Sequence, residues 1–329
     1  MNKNQYHYED IGFVYPYFLG RNALFRAAKE LRQRGIQTIS VPAYSCGDEV
    51  EAIHQAGMKI MPYDVELADG KFSIASETNG ESLLATNYFG MRLPYSHDNP
   101  TIVDNAYCFD FNNPIGDEDF SIISLRKQLY RPNGAFLITN EPLESYVPEL
   151  PPDTVLDYET ENHAGYSHNR PQGSGIHPGI DTKNIFGARY DTFGGYGLTS
   201  DDKLPANEDC SRRSENLRHQ YAHCMEILDY YVSDYGLSLA RKIQEDQVLF
   251  PTMLPILVDD SSVTYQHLQR TGVGKVIPFW SKSPIRYSID DYPGAKKIKK
   301  SIVALSFLFD WNADDYTKLK ETLASGALR

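Results

Sequence analysis

Between Arg21 and Gly35 the apolar positions Leu24, Phe25, Ala28 and Leu31 recur every three to four residues with charges between them. The spacing predicts a helix that stops at Gly35. "TISVP" (38–42) then reads as a strand. "GDEVEAIHQAG" (47–57) puts Val50 and Ile53 on one face, with acids in its first turn and Gly57 at its end, and so predicts a second helix. "MKIMPYDV", "SLLATNYF", "TIVDNA", "FSIISL" and "GAFLIT" follow, short and apolar, several of them β-branched, each bounded by polar or Gly/Pro residues. Such continuous apolar strands, interleaved with helices, predict an α/β fold: a three-layer large domain whose mostly parallel sheet is covered on both faces.

Residues 140–205 break this rhythm. "NRPQGSGIHPGIDTKNIFGARYDTFGGYG" is rich in Gly, Pro and Asn and reads as a long loop, a feature that in a compact protein goes with function or mobility. Helical spacing returns at Leu217, Tyr221, Cys224, Leu228 and Tyr231. "FPTMLPILV" and "GKVIPFW" read as strands, and "DDYTKLKETLAS" as a final helix with an acidic start. The expected organisation is a large domain over 1–205 and a smaller C-terminal α+β domain over 206–329.

Composition narrows the function classes. A chain of 329 residues with a formal charge of −12 lacks the basic surplus of a nucleic-acid binder, although local donors can still hold a small anion. Cys46, Cys108, Cys210 and Cys224 show no CxxC or metal-ligand spacing, and "MNKNQYHYED" lacks the pattern of a secretion signal, so a reduced cytoplasm is expected. Runs such as "SIVALSFLF" are too short to span a bilayer. His219 and His223 stand four apart, but "HQYAH" lacks the glutamate of a zinc protease, and no metal is expected.

Ligands of open parallel sheets bind beyond the carboxyl ends of the strands. On that rule Asp104 ends "TIVD", Asn87 ends "SLLATN", Tyr44 and Ser45 follow "TISVP", and Lys127 follows "FSIISL". Gly20, Arg21 and Asn22 open the first helix, where backbone N–H groups and a guanidinium suit a phosphate. An aspartate can hold a protonated pyridine nitrogen, and a desolvated lysine near other cations gains nucleophilicity. Each residue has an ordinary reading as well: Arg126-Lys127 as a solvated turn, Asp104 as a turn cap, Gly20 to Asn22 as a helix cap.

Taken in order, these segments resemble the sugar aminotransferases of the DegT/StrS type, fold-type I enzymes that use pyridoxal phosphate. "FLGRNALFRAA" is similar to their Gly-[Thr/Arg]-x-Ala-Leu opening, and "VPAYSCGDEVEAIHQAGMKIMPYDV" to their Pro-x-Tyr/Phe-Thr strand end, helix and following strand. "ATNYFG" is similar to their His/Asn-x-x-Gly strand end and "IVDNAYCFD" to the strand with the pyridinium aspartate. "SLRKQLYRPNGAFL" resembles the Ser-x-x-Lys segment that carries the Schiff-base lysine. "CSRRSENLRHQY", "LFPTMLPILV", "VIPFW" and "DYPGAKKIKKSIVAL" follow the family's small domain, so the resemblance covers about 20–139 and 206–329.

The resemblance implies that Lys127 is the Schiff-base lysine and proton shuttle and that Asp104 pairs with the pyridine nitrogen. It places Gly20, Arg21, Asn22 and Ser124 at the phosphate, Asn87 near the ring, Tyr107 near the 3-hydroxyl, and Tyr44 or Ser45 on the ring face. Cys46 stands where many relatives have a stacking aromatic, Arg21 replaces the commoner threonine, and Asn133 replaces a glycine. No clear GxNxR segment occurs in 160–200, where Asn184 and Arg189 are the candidate substitutes. The implied function is transfer of an amine from an amino acid to a keto sugar, nucleotide-linked, by a cytoplasmic homodimer with small-molecule partners only, and with Trp280, Lys282 and Arg286 on the substrate side. The alternatives are lyase or dehydratase chemistry with the same cofactor, or a catalytically degenerate ligand-binding relative. Relatives that dehydrate sugars carry histidine in place of this lysine.

Overall fold

A computed structural model describes residues 6–8, 12–68, 70–90, 93–95, 98–107, 119–125, 127, 134–144, 207–231, 252–273, 275–277, 280, 284–307 and 310–325. Arg126, Asn133, Asn184, Arg189, Lys282, Cys108 and all of the expected loop beyond residue 144 lie outside the described residues.

The strands are β1 (Tyr6–Tyr8), β2 (Gly12–Tyr17), β3 (Thr38–Pro42), β4 (Lys59–Tyr63), β5 (Val65–Ala68), β6 (Lys71–Ile74), β7 (Ser82–Thr86), β8 (Thr101–Asp104), β9 (Phe120–Ser124) and β10 (Ala135–Thr139). Among the described residues, eight of them form one sheet in the order β1-β2-β10-β9-β8-β7-β3-β4, and β5 pairs with β6 as a separate hairpin. The neighbours from β9 to β4 are all parallel. Strand β10 is antiparallel to both β9 and β2, so β2 points the same way as the parallel set, and β1 runs against β2. The sheet is thus mostly parallel, as the apolar strand runs predict. Strand β2 has no counterpart in the sequence reading, because Pro16 interrupts a run that would otherwise alternate.

Helices α1 (Gly20–Gln33) and α2 (Asp48–Gln55) lie on one face, α1 against α2, β9 and β10. Side chains alternate between faces as strand geometry requires. Leu84 and Ile102 join Leu24, Leu31 and Ile53 beneath these helices. Leu83, Ala85 and Val103 join a core on the opposite face, shared with Leu217, Tyr221 and Leu254 from the C-terminal part. Burial of α1 centres on Ala23, Leu24, Ala27, Ala28 and Leu31, and Phe25 is only partly covered because the apolar stripe is turned by about one position from the expected one.

The C-terminal part contains α3 (Asn207–Tyr231), β11 (Met253–Leu257), α4 (Ser261–Arg270), β12 (Val276–Ile277), α5 (Pro293–Ser301), β13 (Ile302–Ser306) and α6 (Ala313–Ala324). Strands β11, β13 and β12 form an antiparallel sheet in that order. Leu217, Tyr221, Cys224 and Leu228 of α3 are buried, but Tyr231 at the helix end is 43% exposed. Helix α4 escapes the sequence reading, yet its start is marked by Asp260, whose carboxylate accepts from the N–H groups of Ser262 and Val263 at 2.9 Å.

Two ties fix this part against the α2–β4 edge of the large sheet. The Asp64 carboxylate accepts from the N–H groups of Gly294 and Ala295 at 2.9 and 2.8 Å and so caps α5 across the chain. Glycine is required at 294, since a Cβ there would stand 2.3 Å from the carbonyl oxygen of Val65. Arg286 donates from Nε and Nη2 to the two carboxylate oxygens of Glu51 on α2, at 2.8 and 2.7 Å. Among the described residues no helix is long and apolar enough to cross a membrane.

Candidate active site

Four same-direction strands, β2, β3, β8 and β9, end at one cleft. Its empty volume is about 520 Å3, open mouth included, and Gly20, Arg21, Cys46, Glu49, Asp104 and Lys127 are among its lining residues. Each strand end delivers its side chains for a local reason.

After β2 the chain stays extended at Leu19 (φ −138°, ψ 162°) and then enters α1 at Gly20. No side chain caps this helix and its first turn carries no acid, so the positive end of the helix dipole meets the cleft with Arg21 beside it. The Arg21 guanidinium lies 3.6 Å from the Asp48 carboxylate. After β3 the chain turns through Gly47, whose φ of +87° favours glycine, and α2 begins. That turn brings Glu49 back over the strand end. Its Oε2 accepts from the Ser45 hydroxyl at 3.0 Å and from the Cys46 thiol at 2.8 Å.

Asp104 is the last residue of β8 and is only 6% exposed. Its Oδ1 accepts from the N–H of Ala106 at 2.9 Å, and Glu49 lines the same cleft. Ser124 ends β9. Lys127 lies on the connection to β10 and holds its Nζ 3.6 Å from the centroid of the Tyr107 ring, a cation–π contact. The far end of the connection is tied down where the Gly134 N–H donates to the Phe18 carbonyl at 2.6 Å, with φ of +109° at that glycine.

Burial and charge set the protonation states. Burial pushes the Glu49 carboxyl up to about 7, and the Asp104 charge adds to the effect. Burial also raises Asp104, against the opposing pull of the Lys127 ammonium and the Ala106 N–H. Burial works against a charge on Lys127, but Tyr107, Asp104, Cys46 and Glu49 together outweigh it and hold the amine above the usual lysine range. This corrects the expectation of a lysine depressed by neighbouring cations: the groups that act on Lys127 are acids, a thiol and a phenol.

Of the residues singled out from sequence, Gly20, Arg21, Asp104, Ser124 and Lys127 line the cleft together. Asn22, Tyr44, Ser45, Asn87 and Tyr107 stand behind it. Asn22 is buried within α1. Tyr44 does not offer a ring face to the cleft, because it packs between Tyr88 and Trp280, with centroids 5.4 and 5.0 Å away. Ser45 is turned to Glu49. Asn87 braces the strand ends, donating to Asn105 Oδ1 at 2.6 Å and accepting from the Leu93 N–H at 3.0 Å. Tyr107 lies under Lys127. On the expected substrate side, Trp280 packs on Tyr44 and Tyr88, and Arg286 is bound to Glu51. Cys46 lines the cleft itself, and Glu49 is the residue the sequence reading missed. Its only signal was an acid in the first turn of a helix following a strand end, which the dipole already explains. Among the described residues no cluster of His, Cys, Asp or Glu is arranged to hold a metal ion.

No protein-family model and no curated protein sequence matches the chain. Solved structures do. A DegT DnrJ EryC1 StrS aminotransferase from Brucella abortus aligns with a TM-score of 0.58 at 12% identity, covering 97% of this chain and 87% of that one. S. venezuelae DesV, solved in complex with a ketimine intermediate, aligns with a TM-score of 0.55 at 13% identity over 97% and 86%. NtdA from Bacillus subtilis, solved with bound cofactor PMP, gives 0.57 at 12% identity over 97% and 74%. The chain shares the fold of these proteins.

Proposed function

We propose that this chain is a pyridoxal-phosphate-dependent aminotransferase that moves an amine from an amino acid to a keto sugar carried on a nucleotide. The reading rests on one observation: in a fold shared with a DegT DnrJ EryC1 StrS aminotransferase, Lys127, Asp104 and the Arg21-bearing start of α1 converge on a single cleft. The donor set fits that cofactor. Arg21, Ser124 and the helix N-terminus suit a phosphate, the Asp104 carboxylate suits a protonated ring nitrogen, and the Lys127 amine suits an aldehyde carbon.

Bound there, pyridoxal phosphate would supply the aldehyde and the electron-withdrawing ring that amine transfer needs. The chain supplies the rest. Asp104, buried and held by the Ala106 N–H, would pair its carboxylate with the protonated ring nitrogen. Lys127 would hold the cofactor through its amine and would move protons at its Nζ. Leu24, Ala106 and Ile122 give the cleft apolar walls. A homodimer in the cytoplasm, and a division near residue 205 into a cofactor-holding domain and a C-terminal domain, belong to the same reading.

The test is chemical. Protein incubated with pyridoxal phosphate should turn yellow, and borohydride should fix the label to the peptide containing Lys127. Adding an amino-acid donor should shift the absorbance, and a keto sugar nucleotide should restore it. Label on another lysine, or no uptake of the cofactor, would refute the assignment. Uptake with no response to any amino donor would favour a ligand-binding protein.

A further inference from the structure

The Lys127 ammonium rests on a ring, although acids line the same cleft. Its Nζ lies 3.6 Å from the centroid of the Tyr107 ring, well inside the reach of a cation–π contact. Among the described residues no ion pair joins this nitrogen to Asp104 or Glu49, which line the cleft with it. The ring itself is held in place. Tyr107 follows the end of β8 closely, so the backbone ties it to Asp104. Its carbonyl oxygen accepts from the Thr252 hydroxyl at 3.2 Å, and its ring centroid stands 6.5 Å from that of Trp280. Thr252 is buried just before β11, and Trp280 packs in turn on Tyr44 and Tyr88. The C-terminal part therefore braces the ring on which the lysine lies.

We infer that Tyr107 is a positioning residue: its ring face seats the Lys127 amine in the unloaded protein and keeps it off the Asp104 carboxylate. An ammonium paired with a buried carboxylate leaves it at a large cost, because both charges are stranded. A ring face attracts the ammonium more weakly and in no fixed hydrogen-bonding direction, so the amine leaves it readily. The Asp104 carboxylate meanwhile stays oriented by the Ala106 N–H and open to the cleft. The quadrupole of the ring, not the phenol hydroxyl, makes the seat, so phenylalanine should serve in its place. The usefulness of the seat in amine transfer rests on the aminotransferase reading; the contact itself does not.

Proton–carbon NMR of the full-length protein without added cofactor, its lysines carrying isotope-labelled methyl groups from reductive methylation, tests the contact directly. A group lying on an aromatic face is shifted upfield by the ring current. The Lys127 resonance, assigned by its loss in Lys127→Ala, should lie upfield of exposed lysines such as Lys297. Tyr107→Phe should keep that position. Tyr107→Leu should move it among the exposed lysines and speed methylation of Lys127 at neutral pH by about fivefold, the worth of a half-buried cation–π contact. The methylation rate of Lys297, read by mass spectrometry in the same samples, should not change. A wild-type Lys127 resonance among the exposed lysines, an upfield position lost in Tyr107→Phe, or a Tyr107→Leu variant with shift and rate unmoved would each overturn the inference. If Tyr107→Leu does not fold, the wild type and Tyr107→Phe decide. Since no cofactor takes part, failure here leaves the aminotransferase reading standing, and failure of cofactor uptake leaves the seat standing.

Discussion

The Lys127 amine is held protonated by its acidic neighbours, and that has a measurable consequence. Only the neutral amine attacks an aldehyde, so cofactor loading should accelerate as pH rises from 7 towards the lysine range, by about tenfold per unit at first. A rate independent of pH, followed by absorbance in a stopped-flow mixer, would contradict the charge state described. Lys127→Ala should bind pyridoxal phosphate noncovalently and lose turnover by about three orders of magnitude or more. Glu49 makes a separate prediction about stability. Its folded value lies at about 7 and its ordinary value near 4.5, so between them the folded state holds a proton that the unfolded state has released. Stability therefore falls as pH rises through that window, by up to about 1.4 kcal/mol per unit from this group, and Glu49→Gln should flatten the slope in urea titrations.

At the scale of elements, the site depends on how strands hand over to helices. Gly47 turns the chain with a positive φ so that α2 returns Glu49 over the end of β3. Gly47→Ala should cost about 1–2 kcal/mol in urea unfolding and disturb Glu49 with it. The α5 cap is longer in range. Asp64, after β4, satisfies the first N–H groups of a helix that begins at Pro293. Asp64→Ala should cost about 1–2 kcal/mol, near the upper end for a helix cap, because those N–H groups face protein rather than water. The strands and helices that form the rim were legible from periodicity and from Gly stops. Strand β2 and helix α4 were not: Pro16 hides the first, and the second carries its apolar residues too sparsely for a stripe.

For the whole molecule, the Arg286–Glu51 pair joins the C-terminal part to the helix that carries Glu49. Burial opposes the Glu51 charge, but Arg286 overcomes it and lowers the carboxyl below its usual range. The pair's contribution is present above the ordinary glutamate value and is lost as pH falls through the lowered one. Arg286→Ala should destabilise the protein by about 2 kcal/mol at neutral pH, less than for a fully buried pair because the arginine is partly exposed, and the loss should shrink in acid.

The sequence alone determined the alternation of helices and apolar strands, the mostly parallel sheet, and the positions of Asp104 at one strand end and Lys127 beyond another. These follow from periodicity and chain punctuation, which are local properties. Tertiary structure decided which groups meet there. It turned Tyr44 towards Trp280, placed Tyr107 beneath Lys127, bound Arg286 to Glu51, and brought Glu49 into the cleft that Asp104 lines. Those outcomes depend on strand order and on burial shared between distant segments, and the charge on each acid depends on what surrounds it rather than on what precedes it in the chain.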